Sequence, residues 1–165
     1  MNILVLLSLL ILTIYIILVC KKYGVPDSIS DSYYYIGWKP IFTLVMWFVG
    51  GFMLPKAMEV TPETQIIPFL AICGVLLVGA APRVRDYERT IHIIGASIGG
   101  IFSQLWILIY AYPLTLLSWI IPIVMLQSKV SLTKEGLMER LDSINFVFWS
   151  EIICFANIYI NLLIL

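Results

Sequence analysis

Apolar residues in this chain form six long runs, and almost all of the charge falls between them. The runs are Met1–Cys20, Pro40–Leu54, Ile66–Ala81, Ile91–Ile109, Pro113–Gln127 and Ile144–Leu165. A helix crossing a bilayer core needs about 20 predominantly apolar residues. The pattern therefore predicts an all-α polytopic membrane protein: a six-transmembrane-helix bundle forming a single integral membrane domain over residues 1–165. The second, third and fifth runs are short. The second can start as early as Tyr34, and Pro122 predicts a kink in the fifth.

Composition agrees with the pattern. Apolar residues make up 61% of the chain and charged residues 12%, about half the charge that a soluble domain carries. Six crossings with short connections use up the whole length, which leaves no room for a separate soluble domain. Formal net charge is zero, so no whole-protein field attracts nucleic acid, and nucleic acid is not an expected partner. Expected partners are membrane lipids, a partner helix or a second copy of the chain.

The charges also orient the spans. The first, third and fifth connections hold Lys21, Lys22, Lys39, Arg83, Arg85, Arg89, Lys129, Lys134 and Arg140. The second holds Lys56 alone, and the fourth, Tyr110-Ala111-Tyr112, has no charge. Positive residues accumulate on cytoplasmic loops, so the odd connections are expected inside and both termini outside. The expected location is a bacterial inner or plasma membrane. The first run lacks a basic leading stretch and ends in Lys21-Lys22, which reads as a retained helix and not a cleaved signal. Cys20, Cys73 and Cys154 have neither metal-ligand nor redox spacing and read as buried thiols.

Four polar features interrupt this apolar layout. Pro26-Asp27-Ser28-Ile29-Ser30-Asp31-Ser32, followed by Tyr33-Tyr34-Tyr35, packs carboxylates, hydroxyls and phenols ahead of the second span. It reads as a helix cap provided by Ser30, Asp31 or Ser32, or as a loop lining a cavity. His92 is the one histidine and opens the fourth span. Below it, Gly95, Ala96, Gly99 and Ser103 share a helical face, and Gly95-x-x-x-Gly99 allows a second helix to approach closely. Glu151 is a carboxylate roughly 10 Å inside the sixth span at about 1.5 Å per residue, a costly position that demands a partner or a wet cavity. Ser150, Cys154, Asn157 and Asn161 continue a polar stripe beside it. The candidate ligand-binding residues are therefore Ser30, Asp31, His92, Glu151 and Asn157. If spans two, four and six meet, Ser30, Asp31, His92 and Glu151 form one cytoplasm-facing site. In the fifth connection, Leu137, Met138 and Leu141 form the apolar face of a short amphipathic segment that Ser131 or Thr133 can cap.

Pro26 with Ile29-Ser30-Asp31 resembles the P-x-I-S-D signature of the Frag-type and damage-regulated autophagy modulator membrane proteins. Here one extra residue separates proline from isoleucine, and no Gly-Pro-Glu follows Asp31. Gly79-Ala80-Ala81-Pro82 followed by His92-x-x-Gly95-Ala96 is similar to a pattern in bacterial six-span proteins of unknown function. The resemblance implies six helices without an established enzymatic activity. Serine, aspartate and histidine near cytoplasmic helix ends also resemble the alkaline-ceramidase and adiponectin-receptor superfamily, which implies zinc hydrolysis. Those enzymes use several histidines where this chain has one.

No nucleotide-binding loop, nucleophile elbow or cysteine–zinc spacing is present, and neither a cofactor nor a metal is expected. The leading expectation is a non-enzymatic membrane protein that binds a lipid, a small amphiphile or a partner helix in a polar groove facing the cytoplasm. A metal-dependent lipid hydrolase and a small proton-coupled transporter using Glu151 are the alternatives.

Overall fold

The computed structural model describes residues 2–60, 63, 65–81, 86–130 and 144–165, and the described residues are helical, without a strand. In chain order they form α1 (Asn2–Tyr23), the single turn α2 (Ser32–Tyr35), α3 (Pro40–Val60), α4 (Ile66–Ala80) and α5 (Asp86–Tyr110). A 3-10 helix (Pro113–Trp119), α6 (Ile120–Val130) and α7 (Phe146–Ile164) follow. Four stretches are long and apolar enough to cross a membrane: Ile3–Tyr23, Pro40–Val60, Arg89–Tyr110 and Phe146–Ile164. The chain is thus an all-helical protein with the spans of an integral membrane protein. Ile66–Ala80 and Pro113–Gln127 are shorter apolar helical stretches.

The helices outrun the apolar runs that predict them. α3 continues to Val60 through Pro55. It carries Lys56 into the helix, where the side chain is buried and lies 3.8 Å from Glu59. Sequence patterning expected Lys56 in a connection; the aliphatic stem of a lysine can pack along apolar surface, so its position need not end the helix. α5 starts at Asp86, so His92 sits nearly two turns inside it and not at its first residue. The second span does not begin at Tyr34: α2 stops at Tyr35, and α3 starts anew at Pro40, where a missing N–H costs nothing. Near the expected kink at Pro122 the helix changes type just upstream. The 3-10 helix gives way to α6 at Ile120, which puts Pro122 in the first turn of α6, where no intrahelical partner is needed. The amphipathic segment expected near 131–141 and the residues Arg83 and Arg85 lie outside the described residues.

α4 packs most extensively on α5, α3 on α4, and α1 on α3, while α7 closes the bundle against α5, α1 and α3. α1 is apolar all round, yet one face is buried: Val5, Ser8, Leu12, Tyr15 and Val19, at alternating spacings of three and four. Polar pairing marks that face. Tyr159 of α7 donates to Ser8 (2.6 Å), whose single proton goes to the Val49 carbonyl of α3 (3.0 Å).

Glycines set the α4–α5 distance. A Cβ placed on Gly74 would lie 2.3 Å from the Gly99 nitrogen and 2.6 Å from the Gly95 oxygen, both backbone atoms. As the sequence predicts, Gly95 and Gly99 face a neighbouring helix, and that neighbour is α4. At Gly99 a Cβ would meet its nearest atom at 3.4 Å, which is ordinary contact. Gly74→Ala should therefore lower the unfolding temperature in detergent clearly, by overpacking of about 1–3 kcal/mol. Gly99→Ala should leave it nearly unchanged. Equal losses for the two variants would contradict this packing.

Candidate functional site

The segment between α1 and α2 folds back along the start of α7. Gly24, at φ +84°, ends α1 by turning its backbone into the left-handed region. The chain then meets α7 at three successive points. Asn145 Nδ2 donates to the Val25 carbonyl (3.3 Å), Phe148 N–H to the Asp27 carbonyl (3.0 Å), and Ile29 N–H to Glu151 Oε2 (2.5 Å). Phe148 belongs to the first turn of α7, whose amides have no partner within the helix, and Asp27 supplies one. Glu151, about 4.5 Å further along α7 at 1.5 Å per residue, anchors the deepest amide of the loop.

Within the loop the serines bond to one another and to the backbone. Ser28 Oγ donates to Asp31 Oδ2 (2.8 Å) and accepts the Asp31 amide (3.0 Å). Its one proton is then committed, so Ser30 donates to it across 2.9 Å. Ser32 donates to the Ile29 carbonyl and accepts from Tyr15 (2.6 Å). Asp31, at the N-cap of α2, makes no side-chain cap hydrogen bond to the helix. The expected helix cap is instead a self-bonded turn that buries Ser28, Ser30 and Ser32.

His92 is buried on α5, and its Nδ1 lies 3.0 Å from the Ala81 carbonyl. A carbonyl only accepts, so Nδ1 carries the proton. The imidazole thereby serves a carbonyl at the C-terminal end of α4 and latches that end to α5.

Loop, α5 and α7 enclose a cavity of about 680 Å³. Its walls also include Met46 of α3 and Val75 and Val78 of α4. Ser30, Asp31, His92 and Glu151 all line it, so four of the five residues singled out from sequence converge on one space. Asp27, Ser28, Ser150 and Cys154 join them at that end. Beyond them the lining becomes apolar or small, through Ala96, Gly99, Gly100, Phe155 and Ile158 to Ser103. Ile93, Ala96, Ser97 and Val147 on the lining are exposed, so the cavity opens sideways between α5 and α7.

Asn157 does not line the cavity. It is buried, and both of its amide atoms are engaged: Nδ2 donates to Gln104 Oε1 (3.1 Å), and Oδ1 accepts from Ser118 (3.0 Å). Gln104 Oε1 also accepts Trp119 Nε1 (3.0 Å), and Gln104 Nε2 donates to Ser103 (3.1 Å). Asn161 Oδ1 accepts the Tyr112 amide (2.8 Å), and its Nδ2 donates to Thr115 (2.9 Å) and to the Asn157 carbonyl (2.8 Å). The polar stripe of α7 therefore divides. Ser150, Glu151 and Cys154 face the cavity; Asn157 and Asn161 hold the 3-10 helix, and Asn157 ties α7 to α5 through Gln104. Sequence spacing alone put Asn157 with the site, because it shares a helical face with Ser150 and Cys154 beside Glu151, and the change of neighbour partway along that face is a tertiary fact. Gln104 was missed, although a lone amide inside an apolar run demands a partner in the same way.

No protein-family model matches the chain, and no curated protein or solved structure matches it. The resemblance to the Frag-type proteins therefore rests on its short motifs alone.

The Ile29–Glu151 bond can be tested directly. Glu151→Leu leaves the Ile29 amide without its acceptor, at a cost of about 1–3 kcal/mol, and should speed hydrogen exchange across residues 27–31. Glu151→Gln keeps an acceptor oxygen and should retain most of the protection. Unchanged exchange in the Leu variant would show that the loop is held by other contacts.

Proposed function

We propose that this chain is a six-span membrane protein that binds a lipid or small amphiphile in a groove at its cytoplasmic end, without catalysing a reaction on it. The observation that carries the proposal is the polarity gradient of the cavity. Hydroxyls, carboxylates and an imidazole collect at one end, and apolar or small residues line the rest. Its volume of about 680 Å³ lies inside the range of about 300–1,000 Å³ usual for small-molecule sites. A lateral opening between two helices suits a ligand that arrives from the bilayer.

Helix lengths support the six-span count. At 1.5 Å per residue, α4 covers about 22 Å, which a few flanking residues extend towards the 30 Å of a hydrocarbon core. The 3-10 helix rises about 2.0 Å per residue, so with α6 it reaches about 30 Å end to end. The extended winding lets 18 residues, Pro113–Val130, do the work of a longer α-helix. The charge bias puts the loop before α2 and the start of α7 inside, and both termini outside. The Frag-type resemblance carried by Pro26, Ile29-Ser30-Asp31 and His92 belongs to the same proposal.

A partner helix fits the groove less well than an amphiphile. The Asn157–Gln104 bond ties α7 directly to α5 below the cavity, so a second spanning helix cannot run through it. For the hydrolase alternative, no three His, Cys, Asp or Glu side chains among the described residues form a group that could hold a metal ion.

Two experiments test the proposal. Protein purified in mild detergent should carry a co-purifying amphiphile visible by native mass spectrometry. Ala96→Phe, which fills the middle of the groove from an exposed position, should weaken retention about tenfold, or 1.4 kcal/mol, with little change in thermal stability. A wild-type protein free of lipid adducts would overturn amphiphile binding. Separately, single cysteines introduced as Glu59→Cys and Tyr87→Cys should label from opposite sides of the membrane. Labelling from one side would contradict the topology.

A further inference from the structure

We infer that the cavity selects single-chain amphiphiles by the length of the chain, and that the joint between Ser103, Gln104 and Asn157 sets the limit. The inference rests on the amphiphile binding proposed above and concerns which members of that class fit.

Three observations support it. First, the cavity has a defined floor. Its lining on α5 runs from His92 to Ser103, roughly 16 Å at 1.5 Å per residue, and stops where the side chains of Gln104 and Asn157 join α5 to α7. The floor residues are fully engaged. Ser103 donates to the Gly100 carbonyl (2.9 Å) and accepts from Gln104, while Gln104 Oε1 takes protons from both Asn157 and Trp119. A chain end pushing past them would break bonds that membrane surroundings cannot replace.

Second, the polar end contains a hydroxyl that asks for a ligand. Ser150 Oγ is buried on the cavity lining and has no hydrogen-bond partner among the described residues. Buried hydroxyls are nearly always paired, and a head group bearing hydroxyls would meet this one as donor or acceptor. The head is thereby fixed one residue from Glu151, so the distance from Ser150 to the floor measures the tail.

Third, small residues leave the tail region open to a chain. Ala96 and Gly100 line it with almost no side chain, while Gly74 and Gly95 hold α4 and α5 at backbone contact, so the space lies towards α7.

Gly100 provides the test. It lines the cavity about one turn above Ser103, and a Cβ there would meet nothing within 4 Å. Gly100→Leu therefore adds bulk to open space, not to the packed core. The probes are saturated 1-monoacylglycerols of increasing chain length, scored as one-to-one adducts by native mass spectrometry. Wild type should retain chains up to a limit and lose longer ones at least several-fold. Gly100→Leu should shift that limit down by about one helical turn, 5.4 Å, or roughly four methylenes. Gly51→Leu is the control, because Gly51 also faces open space but lies outside the cavity lining, and its limit should match wild type. Retention independent of chain length, or a limit that Gly100→Leu does not move, would overturn the inference. Absence of any monoacylglycerol adduct would overturn it too. A different lipid found co-purifying in that case would leave amphiphile binding itself standing.

Discussion

An irregular stretch of backbone set among membrane helices must have every N–H and C=O satisfied, because hydrocarbon offers no partners. In this protein the constraint is met by the first two turns of α7. Asn145, Phe148 and Glu151 serve the backbone of Val25, Asp27 and Ile29 in register. Glu151 is the deepest of the three contacts and the one made by a carboxylate. Its placement explains two things at once. A carboxylate inside a span has an amide to serve, and a loop rich in serine and aspartate can enter the bundle far enough to form one end of a cavity.

The cavity then follows from contrasts in packing. α4 and α5 meet through glycines at backbone distance, so they leave no gap between them. α5 and α7 are instead held apart at one end by the inserted loop and pulled together at the other by Gln104 and Asn157. Two helices fixed at both ends but separated in between leave an elongated space. Its polar end lies at the loop and its apolar length runs towards the floor. The 3-10 helix contributes from outside the cavity: Ser118 and Trp119 complete the hydrogen bonds of the floor, which depend on that helix being wound as it is.

Much of this was legible in the sequence, and what was not has identifiable causes. Charge spacing and run length gave the helices, since burying a charge in hydrocarbon is costly whatever the neighbours do. The Gly95-x-x-x-Gly99 face was readable because small residues let a second helix approach closely, although its partner Gly74, the tighter of the contacts, carries no motif of its own. Ser30, Asp31, His92 and Glu151 could be grouped by depth along the membrane normal, because polar residues at one level tend to seek one another. Asn157 could not be placed correctly. A helix face is continuous in sequence, but its neighbours change along its length, and Asn157 meets the 3-10 helix where Glu151 meets the loop. The helix ends were also out of reach. Lys56 shows that a polar residue can extend a membrane helix beyond its apolar run when its side chain finds packing, and α5 starts five residues ahead of its own run.

The proposed lipid-binding groove lies between loop, α5 and α7 and is anchored at Glu151. A high-resolution density map of the protein in a lipid nanodisc tests it most directly. The expected result is one elongated density between α5 and α7, its polar end beside Ser150 and Glu151, its far end stopping at Ser103, and the Ile29 amide bonded to Glu151. Direct contact between α5 and α7 along the whole of His92 to Ser103, with the groove closed and the loop away from Glu151, would contradict it.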